Sequence, residues 1–287
     1  MQRLPEYLKR PIINTEKTKT VRKILKEKCL NTVCDGARCP NKSECYAKNT
    51  ATFLIMGNVC TRNCKYCNIS SARPEPLDMD EPKHLAQAVK ELGLKYAVIT
   101  SVTRDDLPDG GAKHFKNCIE EIRKLCDAKT EILTPDFGIR DINNMLPLDT
   151  IIKVHPEVFN HNIETVKNLF KIARPQGNYD ISIEILKYVK ENSDIITKSG
   201  LMVGLGESPA EIEETLYDLK QAYVDILTIG QYIQPSKAHL EVHKYYTIKE
   251  FEELKNLAQK IGFSNYQIAP LVRSSYQAYK CWQEAMK

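Results

Sequence analysis

The chain has 287 residues, 42% hydrophobic and 27% charged, enough for one large α/β domain or two small ones around a substantial core. Its formal net charge of +4, from 41 basic and 37 acidic side chains, is too mild to argue for a nucleic-acid partner. No run approaches the roughly 18–20 apolar residues that a membrane span needs.

The opening MQRLPEYLKRPII has charges and prolines where a signal peptide needs an apolar stretch, and it lacks the Arg- and Ser-rich amphipathic character of a transit peptide. A cytosolic location is therefore expected, where the ten cysteines serve as core thiols, metal ligands or catalytic groups and not as disulfides. The first 28 residues are locally basic, with Arg3, Lys9, Arg10, Lys17, Lys19, Arg22, Lys23, Lys26 and Lys28. They read as a solvated arm, with a docking surface for an acidic protein as the alternative.

From Ala51 onward, β-rich runs alternate with helical patterns. The expected strands are Thr52–Met56, Tyr96–Ser101, Glu131–Leu133, Ile151–Val154, Leu201–Gly204 and Ile226–Tyr232. Apolar stripes at helical spacing lie between them: Leu85, Ala88, Val89 and Leu92; Phe115, Cys118, Ile119, Ile122 and Cys126; Ile212, Leu216, Leu219 and Tyr223. Ser208 followed by Pro209 marks a helix start. A further helical pattern covers Ile248 to Ile261. Such alternation implies a parallel sheet with right-handed crossovers, and about six units fit. The expected fold is α/β, a partial (β/α)6 barrel of TIM type, with an open doubly wound sheet as the second choice. Either places ligands at the C-terminal ends of the strands. Residues 1–50 and 236–287 are read as extensions packed on a barrel spanning 51–235.

Cys60-x3-Cys64-x2-Cys67 directly follows the first expected barrel strand. Three thiolates so close on a loop suit three irons of a four-iron cluster and leave the fourth iron open. An open iron can chelate the amino and carboxylate groups of S-adenosylmethionine, whose one-electron cleavage gives a radical strong enough to attack an unactivated C–H bond. Zinc usually takes four closed ligands, and a ferredoxin supplies four cysteines per cluster. Tyr66 is expected to pack near the cluster and shield it.

Upstream lies Cys34-x4-Cys39-x5-Cys45. The overlapping Cys29-x4-Cys34-x4-Cys39 is a competing register that spacing alone does not exclude, and structural zinc is the alternative to a second cluster. Cys118 and Cys126 read as core thiols and Cys281 as incidental on a terminal helix. His239-x3-His243 would share a helical face but has no third ligand nearby.

Taken together, the two cysteine triads resemble lipoyl synthase, as do Arg273-Ser274-Ser275-Tyr276, the run Thr100–Gly111, the run Phe159–Val166, Arg174-Pro175, the run Met202–Glu207 and Gln234-Pro235-Ser236. The resemblance runs from about Leu30 to Tyr276. It implies an auxiliary cluster on Cys34, Cys39 and Cys45, with Ser275 as an unusual oxygen ligand, and leaves Cys29 without a counterpart. It departs from the family pattern at Gly36 and Asn68, where acidic residues are common, and lacks prolines near Glu241 and Ile248.

The resemblance further implies two [4Fe-4S] clusters, S-adenosylmethionine, and insertion of sulfur at C6 and C8 of an octanoyl chain amide-linked to a lysine of a lipoyl-carrier protein. The carrier would be a glycine cleavage H protein or a 2-oxoacid dehydrogenase E2 lipoyl domain. Flavodoxin or ferredoxin would donate electrons, and an iron–sulfur carrier protein would serve the auxiliary cluster, which is the sulfur source. Among S-adenosylmethionine contacts, it suggests Ser101 and Val102 for the amino group, Asn162 and Glu164 for the ribose, and Met202 and Val203 for the adenine. Lys198 and Arg174 are candidates for the carboxylate or for the auxiliary cluster. A biotin-synthase-like enzyme and a non-catalytic iron–sulfur protein are the rival readings.

Overall fold

The computed structural model of the chain describes residues 3–287. After a short 3-10 turn at Glu6–Leu8, the N-terminal segment forms α1 (Glu16–Glu27), β1 (Asn31–Thr32), α2 (Val33–Gly36) and α3 (Lys42–Ala47). The barrel opens with β2 (Thr52–Ile55), then β3 (Val59–Cys60) and β4 (Ser70–Ser71). It continues through α4 (Glu81–Glu91), β5 (Tyr96–Ser101), α5 (Ala112–Leu125), β6 (Lys129–Leu133), α6 (Leu146–Val154) and β7 (Val158–Asn160). There follow α7 (Lys167–Ala173), α8 (Tyr179–Glu191), β8 (Ile196–Val203), α9 (Pro209–Gln221) and β9 (Ile226–Gln231). The chain ends with α10 (Ile248–Ile261), β10 (Asn265–Ile268) and α11 (Ala278–Ala285).

The main sheet runs β1-β2-β5-β6-β7-β8-β9-β10. Only the β1–β2 pair is antiparallel, and every other neighbour is parallel. The partial barrel is thus built of the expected kind of unit, and β10, from the segment read as an extension, adds a seventh parallel strand beside β9. Helices cover the outer face. Their apolar stripes, such as Phe115, Cys118, Ile119 and Ile122 on α5, pack against outward residues such as Ala97, Ile99 and Ile132 in one core. Strands covered on both faces read as continuous apolar runs; β9 is buried at every position.

One expected strand is a helix. Ile151–Val154 is the last part of α6, and the strand is Val158–Asn160. Isoleucine and valine favour strands, but Pro147 in the first turn fixes a helical start, and Leu148, Ile151 and Val154 recur every third residue on the buried side. His155, with φ 54°, then ends the helix in the left-handed conformation. The other helix signals hold: Ser208 and Glu211 form a reciprocal capping box ahead of α9, and Thr247 and Glu250 do the same for α10.

The bottom of the barrel is closed by α11. Ala278 and Trp282 pack against Tyr96, Val98, Val158 and Ile196, and the Tyr96 and Trp282 ring centroids lie 5.8 Å apart. The top is crossed by the C-terminal segment, and Gly230 makes room for it. A Cβ there would stand 2.1 Å from the Val272 carbonyl oxygen, a backbone atom that cannot swing away. Gly230→Ala is accordingly expected to cost about 1–3 kcal/mol, seen as a lower midpoint in differential scanning calorimetry. An unchanged midpoint would mean that the crossing segment is not held against β9.

Candidate functional site

The loop carrying the first cysteine triad leaves β2 through Met56 and Gly57, both at positive φ, and is framed by the β3–β4 ribbon, in which Cys60 faces Ser71. Neighbouring loops hold it. Thr61 N donates to Thr103 O at 3.1 Å, Lys65 N to Ala173 O at 2.8 Å, and Leu240 N to Lys65 O at 3.0 Å. Backbone N–H groups are aimed at the sulfurs: Arg62 N and Thr103 N lie 3.4 and 3.3 Å from Cys60 Sγ, and Ile69 N lies 3.5 Å from Cys67 Sγ.

Burial raises the Cys64 thiol, against the pull of the Arg174 guanidinium. It pushes Cys67 up to about 12, with the Ile69 N–H opposing. Burial thus favours the protonated thiols, and positive charge placed beside them favours the thiolate.

The second triad has Cys34 on α2, Cys45 on α3 and Cys39 in the loop between them. Burial pushes Cys34 up to about 12 and Cys45 to about 11, and Cys39 raises both further, which places the three thiols within electrostatic reach of one another. Cys29 is exposed, just past the end of α1. Asn68, next to Cys67, donates to the Gly36 carbonyl at 2.7 Å and so joins the two cysteine segments.

The C-terminal Arg273–Tyr276 segment reaches both sides of this region. Asn41, between Cys39 and Cys45, donates to Leu271 O at 2.7 Å, and Tyr276 OH donates to Glu44 at 3.1 Å. Ser274 Oγ donates to Asn162 Oδ1 at 2.8 Å. The half-buried Arg273 guanidinium feels both Cys39 and Glu164. Ser275 is held between these anchors.

Of the residues expected near S-adenosylmethionine, Asn162, Glu164 and Arg174 converge. Asn162 Nδ2 donates to Glu164 Oε1 at 3.1 Å, and Arg174 donates to Asn162 O at 3.1 Å. Burial raises the Glu164 carboxyl, with Arg174 and Asn162 pulling it back. Glu164 sits at φ 70° and docks on β8, its carbonyl accepting from Met202 N at 2.9 Å. Met202 joins an apolar group with Tyr66, Leu205, Tyr232 and Val242. Ser101 ends β5 with a buried hydroxyl that has no partner among the described residues, and Val102 is buried beside it.

Two candidates lie elsewhere. Lys198 is fully buried inside the barrel, bonded to Glu131 at 2.9 Å, and the Val203 side chain belongs to the outer core beneath the helices. Strand alternation explains both: Lys198 points inward below the mouth, and Val203 points outward. The segment containing His239 and His243 is not helical, because Gln234, Ser236 and Tyr232 hold it in a tight turn. His239 donates from Nε2 to the Cys67 carbonyl at 2.9 Å, which buttresses the cysteine loop. Sequence reading missed Asp105, Asp136 and His239 as supports of that loop, since their partners are distant in the chain.

The chain is similar over most of its length to known proteins. The Radical SAM superfamily pattern matches residues 54–219. Lipoyl synthase of Caldanaerobacter subterraneus subsp. tengcongensis is 47% identical over 277 residues, covering 96% of each chain. Lipoyl synthase of Shewanella halifaxensis is 50% identical over 283 residues, covering 97% of this chain and 87% of that one. The chain belongs to the lipoyl synthase family. Among solved structures, methylornithine synthase superposes with a TM-score of 0.57 at 14% identity, covering 93% of this chain and 80% of that one. The [FeFe]-hydrogenase maturase HydG gives 0.57 at 14% identity, covering 96% and 71%. At that identity they establish the fold alone.

Lipoyl synthases use S-adenosylmethionine and two [4Fe-4S] clusters. The donor chemistry here fits such groups. Two sets of three thiols supply soft ligands, and main-chain N–H groups are already directed at two of the sulfurs, an arrangement that stabilises bound sulfur charge.

Proposed function

We propose that Cys60, Cys64 and Cys67 hold the cluster that engages S-adenosylmethionine, and that Cys34, Cys39, Cys45 and Ser275 hold the auxiliary cluster. The enzyme is a radical SAM lipoyl synthase that inserts sulfur at C6 and C8 of a carrier-bound octanoyl chain. The observation that carries the residue assignment is the Arg273–Tyr276 segment. It ties to the auxiliary-triad helix through Glu44 and to Asn162 at the barrel mouth, so both triads border one region.

When bound, the two clusters and S-adenosylmethionine supply a radical that takes hydrogen from an unactivated methylene, and a sulfide to replace it. The chain's own groups orient and exclude. The carboxylate of Glu164, steadied by Asn162, is placed to accept hydrogen bonds from a ribose diol. The Ser101 hydroxyl, buried and unpartnered among the described residues, is free to accept from an ammonium group. Tyr66, Met202, Leu205, Tyr232 and Val242 form an apolar wall that keeps water from a reactive carbon centre. No acid–base dyad is required, because the methylenes have no proton that such a dyad could remove. Residues 1–50 and 236–287 would act as the two arms that bring the auxiliary ligands to the 51–235 barrel.

An octanoylated lipoyl-carrier protein is the substrate class. The finer reading is a glycine cleavage H protein or an E2 lipoyl domain as carrier, flavodoxin or ferredoxin as electron donor, an iron–sulfur carrier protein for renewal, and a cytoplasmic site of action. No described helix is long and apolar enough to cross a membrane. The test is an anaerobic single turnover with dithionite and an octanoyl-lysine peptide, followed by mass spectrometry. Two added sulfurs per peptide, with 5′-deoxyadenosine formed, is the expected result. Cofactor cleavage over an unchanged peptide would refute the substrate assignment, and no cleavage would reduce the chain to an iron–sulfur carrier.

A further inference from the structure

We propose that Arg62, inside the Cys60–Cys64 spacing, is the positioning residue that sets the conformation of the radical-forming cysteine loop, acting through Asp105 and Asp136. This rests on the assignment of Cys60, Cys64 and Cys67 as ligands.

The guanidinium is buried and held by two carboxylates at once. Nε and NH2 donate to Asp105 at 2.7 and 2.6 Å, and NH1 and NH2 donate to Asp136 at 2.6 and 2.5 Å. Two planar forks on one guanidinium fix its position and its plane. Asp105 follows β5 and Asp136 follows β6, so one side chain pins the loops after three neighbouring strands, β2, β5 and β6.

The pinning reaches a sulfur. Thr61 Oγ1 donates to Asp105 at 3.1 Å, Thr61 N donates to Thr103 O at 3.1 Å, and Thr103 N points at Cys60 Sγ from 3.3 Å. A shift of Arg62 therefore moves a hydrogen-bond donor on a cluster ligand.

The arrangement supplies geometry more than charge. Arg140 contacts the same two carboxylates at 3.2 and 3.3 Å, so two cations face two anions and the cluster of charges is balanced within itself. Burial opposes charging of Asp136, but the bonds and charge of Arg62 outweigh it and hold the carboxyl below its ordinary range. A buried ionic group of this kind is costly compared with apolar packing. Its return here is a fixed place for the Cys60–Cys64 segment. Lysine would keep the charge but cannot form two planar forks.

The experiment uses the reconstituted holoenzyme with Arg62→Lys and Asp136→Asn, and with Arg104→Lys as a comparison. Arg104 is an equally buried arginine of the adjoining loop, whose carboxylate is Asp106; it meets the cysteine loop through a long bond to the Met56 carbonyl at 3.4 Å, ahead of the ligands, and bonds none of the Cys60–Cys67 segment among the described residues. Arg62→Lys is expected to keep the iron of both clusters and to alter the electron paramagnetic resonance signal of the reduced protein with S-adenosylmethionine. It should slow 5′-deoxyadenosine formation about 10- to 100-fold, with the KM for the peptide unchanged. Asp136→Asn should act in the same direction, and Arg104→Lys should lower the melting midpoint without moving the signal. Wild-type signal and rate in both Arg62→Lys and Asp136→Asn would overturn the proposal. So would an equal spectral change in Arg104→Lys. If Arg62→Lys does not fold, Asp136→Asn decides by the same readouts. A wild-type protein whose signal ignores S-adenosylmethionine would instead bring down the ligand assignment itself.

Discussion

Cys39→Ala should separate the two halves of the reaction: S-adenosylmethionine is still cleaved, and no sulfur reaches the octanoyl chain. Cys64→Ala should abolish both. The asymmetry follows from where the thiols sit. Cys39 raises both Cys34 and Cys45 electrostatically and acts on Arg273, so its electrostatic partners belong to the second triad and the C-terminal segment. Its loss leaves only two thiols in that set, yet every contact of the Cys60–Cys67 loop with Thr103, Ala173 and Leu240 survives. Cleavage without substrate chemistry should then stay within about tenfold of wild type, the upper range for a disturbed neighbouring shell. Cys64, by contrast, stands beside Arg174 and Glu164, in the group read as gripping the cofactor. Anaerobic assays of 5′-deoxyadenosine and peptide mass, with iron content measured alongside, check both variants. Thiolated peptide from Cys39→Ala would remove the auxiliary assignment.

Much of this was legible in the sequence, and its limits have physical causes. Strand–helix alternation identified the barrel because parallel sheets bury both faces and their crossovers need helices. Ile151–Val154 misled because composition favours a strand, whereas Pro147 and the three-residue spacing of the buried side chains favour a helix. The strand Asn265–Ile268 was missed for the opposite reason: it is only four residues long, and Asn265 and Gln267 alternate with Tyr266 and Ile268, which leaves little apolar signal. The cysteine triads could be read from spacing, since cluster ligands are local in the chain. Their supports could not. Arg62 and Asp136 are 74 residues apart, and His239 and Cys67 are 172 apart. Gly36 and Asn68 stood out as separate departures from the family pattern, and in the fold they are one contact. An ionised aspartate at 68 has no proton for the Gly36 carbonyl, so the asparagine is what makes that bridge available here.

Lys198→Met should be among the most damaging single substitutions outside the cysteines, costing about 3–5 kcal/mol. The ammonium and the Glu131 carboxylate are 2.9 Å apart with 0% and 1% side-chain exposure. Removing the lysine leaves the carboxylate with Tyr96 OH at 2.8 Å and Asn160 Nδ2 at 3.4 Å, two neutral donors in place of a cation. A buried charge without its counter-charge is worse than no charge at all. Lys198→Met combined with Glu131→Gln should therefore be more stable than Lys198→Met alone, as urea unfolding of the three proteins would show. The same experiment separates two roles for this lysine. A cofactor contact would leave stability near wild type and weaken S-adenosylmethionine binding. A barrel-floor ion pair makes the reverse prediction, because its loss strands a buried charge between β6 and β8 and removes no group from the mouth above. Recovery in the double variant would locate the role of Lys198 in neutralising Glu131 where β6 and β8 face each other across β7, beneath the mouth. Equal instability of single and double variants would mean that the lysine stem, and not its charge, is what the barrel interior needs.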